Sequence, residues 1–267
     1  MIIETTDKHE SGRYGLWPCI FHGNGAAKNE TIFERMKDIE SKIDYKESDP
    51  KDFDLTIITW SIPEERTILQ DNFKRMGIED SLVIIPITKP FNWLSKIKLM
   101  HEYMPYIKTK YVMALDATDV IVSTDNRGDL WKNLINVFED MNCNMVWNAE
   151  KNSWPSGTDL HNLKEELQNI EHFERRLYLE HLGSRYCHLN SGAFIGKTFY
   201  VKGFYQRLWE ITEPYYGRGE NEMLFGGDQG FVRMISMQEF PQTMIDYECK
   251  IFQTLARANE EEMNIYE

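Results

Sequence analysis

Two carboxylates stand three residues apart at the end of an apolar run, in Leu115-Asp116-Ala117-Thr118-Asp119. The run itself, residues 111–115, reads as a buried strand. Asp116 therefore emerges where the strands of an open α/β sheet end and ligands bind. Asp119 follows one turn later and can face the same point. Two hard oxygen ligands there suit a divalent cation that keeps positions open for phosphate oxygens. The competing reading is an Asp pair that caps the next turn, and the spacing alone leaves both open.

Other strings carry polar groups that could join such a site. His22 stands in His22-Gly23-Asn24-Gly25, where the glycines allow a close backbone approach to a ligand. Asn190 and Ser191 are read as preceding an apolar strand, 192–196, a position suited to hydrogen-bonding a hydroxyl-rich ligand. Asp228, in Gly226-Gly227-Asp228-Gln229-Gly230, either caps the helix that follows or serves as a sugar-binding or catalytic carboxylate. Lys96 opens a helix with Lys98, and reaches a diphosphate or lies on a solvated face. The segment from Trp147 to Glu150, with Trp154 and Pro155, offers aromatic and polar groups after a strand, although Trp147 suits the core equally well.

The elements that must position these groups alternate in type. Apolar β-branched runs at 55–60 and 82–87 read as strands, with a helix at 62–76 ending at Gly77 between them. A helix at 93–105, the strand at 111–115, a helix near 129–141 and a strand at 145–147 follow. Beyond them come a charged helix at 164–182, helices near 201–212 and 228–237, and extended runs within 243–255. Strands separated by helices of this length imply βαβ units and a mostly parallel sheet. Residues 1–50 read as irregular and polar, apart from the apolar island 16–21 just before His22.

The charge balance narrows the partners. Lys and Arg number 30 against 43 Asp and Glu, a formal net charge of −13. Such a surface repels nucleic-acid backbones and anionic lipid, and a bound phosphate needs a metal or a local basic group to offset it. No run approaches the roughly 20 apolar residues of a membrane span, and the N-terminus lacks a signal-peptide core. The expectation is a cytoplasmic chain, or a domain of a longer one, with no membrane partner. Cys19, Cys143, Cys187 and Cys249 show no metal-binding spacing and read as thiols rather than disulfides.

Taken together and in order, these strings resemble the glycosyltransferase domain of the procollagen lysyl hydroxylases, a group related to collagen galactosyltransferases and to viral collagen-modifying enzymes. The family's Asp-Ser-Tyr-Asp-Val is matched by Asp116 to Val120. Its Ser-Ala-Glu with Trp-Pro is matched by Asn148-Ala149-Glu150 and Trp154-Pro155, and its Leu-Asn-Ser-Gly-Gly-Phe-Ile-Gly by Leu189 to Gly196 with Ala193 as the single change. Its Asp-Asp-Asp-Gln corresponds to Gly226-Gly227-Asp228-Gln229. Its Gln-Lys-Val-Arg helix start resembles Ser95 to Lys98, and its Leu-Asp-x-x-Cys-x-Ile-Phe-Gln-x-Leu is similar to Ile245 through Leu255. The resemblance covers roughly 54–256.

It implies a GT-A fold, a Rossmann-like α/β architecture with a mixed, mostly parallel sheet flanked by helices, over a single domain of 1–267. It also implies Mn²⁺ and a UDP-sugar donor, glucose or galactose, with hydroxylysine or galactosyl-hydroxylysine of a collagen-like chain as the hydroxyl-bearing acceptor; the absence of an accompanying hydroxylase domain leaves another acceptor open, a modified nucleobase included. By resemblance, Asp116, Asp119 and His22 hold the metal and Lys96 contacts the diphosphate. Thr59 and Trp60 lie against the uridine. Gly23, Asn24, Gly25, Ser191 and Gly192 line the donor site, and Asn190 and Asp228 sit near the transferred sugar. Three departures stand out: Thr118 replaces an aromatic, Gly226 and Gly227 replace two acids, and the His-Gly-Asn-Gly string precedes the first strand instead of following the last. The last departure implies a circular permutation, with residues 1–50 lying beside the C-terminal end of the chain. A nucleotide-sugar- or acceptor-binding module without turnover is the alternative that the two glycines suggest.

Overall fold

The computed structural model describes residues 3–4, 19–23, 34, 38, 47–88, 92–123, 129–155, 168–174, 176, 186–218, 226–256 and 264–265. Its strands are β1 (Ile3–Glu4), β2 (Ile20–His22), β3 (Leu55–Ser61), β4 (Leu82–Pro86), β5 (Tyr111–Leu115), β6 (Val120–Val122), β7 (Met145–Glu150), β8 (His188–Lys197), β9 (Thr243–Ile245), β10 (Phe252–Thr254) and β11 (Asn264–Ile265). The longer helices are α1 (Ile68–Arg75), α2 (Ser95–Tyr103), α3 (Leu130–Asp140), α4 (Thr198–Thr212) and α5 (Asp228–Gln238). Residues 168–174 are also helical, within the charged segment expected at 164–182.

Six strands form the main sheet in the order β4-β3-β5-β8-β7-β9. β3 runs parallel to β4 and β5, β7 runs parallel to β9, and β8 alone opposes its neighbours. This is the mixed, mostly parallel α/β sheet flanked by helices expected from the sequence. Its strands are apolar on both faces because helices cover both faces. Leu55 and Ile57 of β3, with Tyr111, Met113 and Leu115 of β5, face Leu69 and Phe73 of α1 and Trp131, Leu134 and Phe138 of α3. Alternate residues Ile58, Trp60, Val112 and Ala114 face the other way, into Ile97 and Met100 of α2, Phe204 and Leu208 of α4 and Phe231 of α5. The period of two along each strand sends successive side chains to opposite cores.

Several boundaries differ from the sequence reading. α1 starts at Ile68 rather than near 62, because Thr67 caps it and makes a reciprocal capping box with Gln70. β8 starts at His188, so Asn190 and Ser191 lie inside the strand rather than before it. β6 was not anticipated: three β-branched residues after Asp119 pair antiparallel to β2. Nor is the N-terminal region irregular throughout. β2 lies between β6 and β10, pairing parallel to β10 through Ile20↔Phe252 and His22↔Thr254, and β1 pairs with β11. Of residues 1–50, β1 and β2 thus lie beside strands near the C-terminal end of the chain, whereas Glu47 and Ser48 bond to Met76, Asp129 and Trp131 instead. All four cysteines are free thiols.

A buried ion cluster ties the helical residues at 168–174 to α5 and β8. Arg233 donates through Nε to Glu174 Oε1 at 3.0 Å and through a terminal nitrogen to Oε2 at 2.6 Å, and His188 Nδ1 lies 2.8 Å from the same Oε2. Burial alone would depress the His188 imidazole, but hydrogen bonds to Cys187 and Glu174 more than offset it and push its pKa up to about 9. Burial likewise would raise Glu174, yet Arg233 and His188 hold it below the usual carboxylate value. Removing one member of such a cluster strands a buried charge. Arg233→Met should cost about 3–5 kcal/mol in urea denaturation. Because the folded-state pKa of His188 lies above the ordinary value of 6.5, its contribution is complete below that pH and fades as pH rises towards about 9. Wild-type stability measured between pH 6.5 and 9 should decline for this reason, and His188→Gln should flatten the decline.

Candidate metal centre

β5 ends at Leu115 and delivers Asp116 into a tight link to β6 that also contains Asp119. Three separate elements hold this link. Asp116 N–H donates to Gly192 O of β8 at 2.8 Å, Leu69 N–H at the start of α1 donates to Ala117 O at 3.1 Å, and Gly23 N–H after β2 donates to Asp119 O at 2.7 Å. β6 is fastened in turn by the buried side chain of Asn72 in α1, which donates to Val122 O at 3.0 Å and accepts from Val122 N–H at 2.8 Å. Both carboxylates are therefore presented from a rigid loop.

β2 brings an imidazole to them. His22 is 97% buried, faces Val120 and Thr254 across the strand pairs, and its carbonyl accepts from Leu255 N–H at 2.8 Å. One nitrogen oxygen pair defines the geometry: His22 Nε2 lies 3.5 Å from Asp119 Oδ1. Nε2 is buried and makes no hydrogen bond, whereas Nδ1 faces Asn148 Nδ2 at 3.2 Å. One donor atom each from His22, Asp116 and Asp119 falls within 4.8 Å of the others. A set of one imidazole nitrogen and two carboxylate oxygens fits Mn²⁺ or another borderline-to-hard divalent ion. The unsatisfied Nε2 is the ligand atom such an ion would claim.

The surrounding charges complete the arrangement. Lys96, near the start of α2, contacts Asp116 Oδ1. Burial alone would depress the Lys96 ammonium, but Asp116, Asp228 and Asp119 more than offset it and raise its pKa. Burial would likewise depress His22, and Asp119 is the main group that raises it instead. Lys98 points elsewhere, to Glu102 at 3.7 Å and to the Tyr216 ring at 5.0 Å from its centroid.

Behind His22 lies a buried amide and carboxylate network that sequence reasoning did not assemble. Asn148 Oδ1 accepts from Thr254 Oγ1 at 3.2 Å, Asn190 Nδ2 donates to Glu150 Oε1 at 3.2 Å, and Gln229 Nε2 donates to the same oxygen at 2.8 Å. Ser191 N–H donates to Gln229 Oε1 at 3.2 Å, and Gly192 N–H to Asn190 Oδ1 at 2.9 Å. The available signal was period two: Asn148 and Glu150 share one face of β7, as Asn190 and Gly192 share one face of β8.

The remaining candidate residues divide. Asn24 and Gly25 lie outside the described residues, while Gly23 is buried beside Asp119. Thr59 and Trp60 are turned into the fold: Thr59 Oγ1 donates to Leu115 O at 2.7 Å, and Trp60 belongs to the core, with Lys96 Nζ 5.5 Å from its ring centroid. Asp228 is the first residue of α5 and is half-buried. The helix cap is Gly227, with no side-chain cap hydrogen bond, so Asp228 does not act as the capping residue. Gly226 and Gly227 have φ of +73° and +72°. A Cβ on Gly226 would lie 2.6 Å from Pro155, and one on Gly227 3.3 Å from Trp93. An acidic side chain at either position would strain this backbone, and at Gly226 it would also collide with Pro155.

No protein-family model matches the chain, and no curated protein matches it. Among solved structures, the chain is similar to the apo form of mouse xyloside xylosyltransferase 1, with 13% sequence identity and a TM-score of 0.35 over 72% of this chain and 71% of that one. A likeness this loose carries no argument about activity.

Gly192 gives the geometry a direct test. A Cβ there would lie 2.2 Å from His22 Cε1 and 2.8 Å from Nε2. Gly192→Ala should displace the imidazole and weaken Mn²⁺ binding by about 10–100-fold, the range seen when the support of a metal ligand is disturbed. Far-ultraviolet circular dichroism should stay unchanged. Unaltered Mn²⁺ affinity in the folded variant would remove His22 Nε2 from the ligand set.

Proposed function

We propose that this chain is a metal-dependent glycosyltransferase, a single GT-A domain that transfers a hexose, glucose or galactose, from a UDP-sugar to an acceptor hydroxyl. The observation that carries the reading is the convergence of His22, Asp116 and Asp119 at the carboxyl end of β5, with Lys96 on the same carboxylate. An anionic protein with net charge −13 needs such a concentration of cationic and cation-holding groups to bind a diphosphate.

In this reading Asp116, Asp119 and His22 would hold Mn²⁺, and Lys96 contacts the diphosphate. The ion, when bound, neutralises charge that develops on the leaving UDP. Gly23, Asn24, Gly25, Ser191 and Gly192 border the donor through backbone groups. Asn190, held by Glu150, orients hydroxyls of the transferred sugar. Asp228, at the start of α5 and close enough to act on Lys96, takes the acceptor proton or stabilises positive charge on the sugar ring. The string-by-string resemblance points to hydroxylysine or its galactosylated form in a collagen-like chain as the acceptor. The reading without turnover, a module that binds a nucleotide sugar, is favoured by Gly226 and Gly227, which leave Asp228 as the acid of its string.

A screen of UDP-sugars with Mn²⁺, following UDP release, separates the two. Release is expected with UDP-glucose or UDP-galactose, lost in chelator and restored by Mn²⁺. Asp119→Ala should abolish it with the fold retained. Asp228→Asn should lower turnover by about 10²–10⁴-fold with UDP affinity little changed, as for a group acting on the transferred proton. Full turnover in chelator would exclude the metal role. Mn²⁺-dependent UDP-sugar binding without any release would establish the silent module.

A further inference from the structure

Asp116 serves two cations. Its Oδ1 contacts the ammonium of Lys96, and an oxygen of the same carboxylate falls in the His22, Asp116 and Asp119 cluster. More than one group holds the lysine there. Asp228 and Asp119 attract it together with Asp116, and the Trp60 ring lies 5.5 Å from Nζ. A divalent ion ligated by Asp116 would face that ammonium across one carboxylate, in a setting where only about a fifth of either side chain is exposed and water screens poorly. Lysine differs from a fixed ligand, because its flexible stem lets the ammonium change partners. A diphosphate arriving beside the ion offers such partners.

We infer that Lys96 couples metal binding to nucleoside-diphosphate binding: the ammonium competes with the divalent ion for Asp116, and the diphosphate relieves the competition by drawing Lys96 off the carboxylate. The inference rests on the donor reading above. Its consequence is that the ion binds weakly alone and tightly with nucleotide, and by linkage the nucleotide gains the same factor from the ion. Direct ligation of the ion by diphosphate oxygens adds to this factor but does not pass through Lys96, so removing the lysine isolates its share.

The test is Mn²⁺ titration of the full chain, followed by the electron paramagnetic resonance signal of unbound Mn²⁺, with and without UDP. Lys96→Met should bind Mn²⁺ alone more tightly than wild type, by about 10-fold or more, within the usual range for coupled sites. The enhancement by UDP should shrink by a similar factor. Lys96→Arg keeps the charge and should behave like wild type with Mn²⁺ alone. A residue that merely supported the fold would weaken metal binding when removed, the opposite sign. If Lys96→Met fails to fold by circular dichroism, Lys96→Gln is read in the same way. Unchanged or weaker binding of Mn²⁺ alone by a folded neutral variant overturns the coupling while the donor reading stands. If wild type binds Mn²⁺ neither alone nor with UDP, the donor reading falls and the coupling falls with it.

Discussion

Negative charge gathered at the end of one buried strand is the constraint on which the rest of this structure depends. Asp116 and Asp119 sit on a single short link, mostly out of water, and Asp228 approaches from the start of α5. Like charges this close stay ionised only if the fold delivers positive charge or an electron-pair donor to them. Two deliveries occur, from two separate segments that both precede Asp116 in the chain. α2 carries the ammonium of Lys96, and β2 carries the imidazole of His22. The two differ in kind. The ammonium neutralises but cannot ligate, whereas the imidazole can ligate and is held too deep to leave.

The depth of His22 follows from strand pairing. A three-residue strand has little stability by itself, so β2 depends on ladders to β6 on one side and β10 on the other. Each flanking strand has its own anchor. The Asn72 side chain grips β6. Buried Asp246 grips the approach to β10, accepting from the N–H groups of Lys250, Ile251 and Phe252 at 2.9, 2.7 and 2.9 Å. Each N–H donates to a carboxylate, which makes the turn stiffer than a neutral one. Behind the imidazole, the linked amides of Asn148, Asn190 and Gln229 and the carboxylate of Glu150 satisfy one another's buried polar atoms and set the orientation of each.

The glycine pair before α5 shows how backbone geometry can override the chemistry that a similar string would suggest. Acidic side chains at Gly226 and Gly227 would need a left-handed backbone and would run into Pro155 or crowd Trp93. Asp228 is the acid of that string, and an acid at either glycine would strain this backbone. The same crowding principle acts at Gly192, where the missing Cβ is what lets the His22 ring approach the carboxylates.

Much of the scaffold was legible in local sequence. The apolar runs of β3, β4 and β5, and the helical spacing of α2 and α3, are written in side-chain periodicity, which each segment carries alone. The position of Asp116 at a strand end followed from the same pattern, and the ordered strings pointed to His22 as its partner. What local pattern could not settle depends on contacts between distant segments. β6 and β2 are too short to show a period and exist because neighbours complete their hydrogen bonds. Asn190 and Ser191 look like loop residues by type, yet β7 continues the ladder past a register shift, pairing Asn148 with Asn190, and this keeps them inside β8. The Glu174, His188 and Arg233 cluster joins three segments whose spacing carries no signal at all. Sequence by itself determined the longer strands and helices and which side chains could do chemistry, because those are properties of single segments. Only the tertiary structure decided which nitrogen meets which oxygen, because burial, register and the field of neighbouring charges arise from the packing of all segments together.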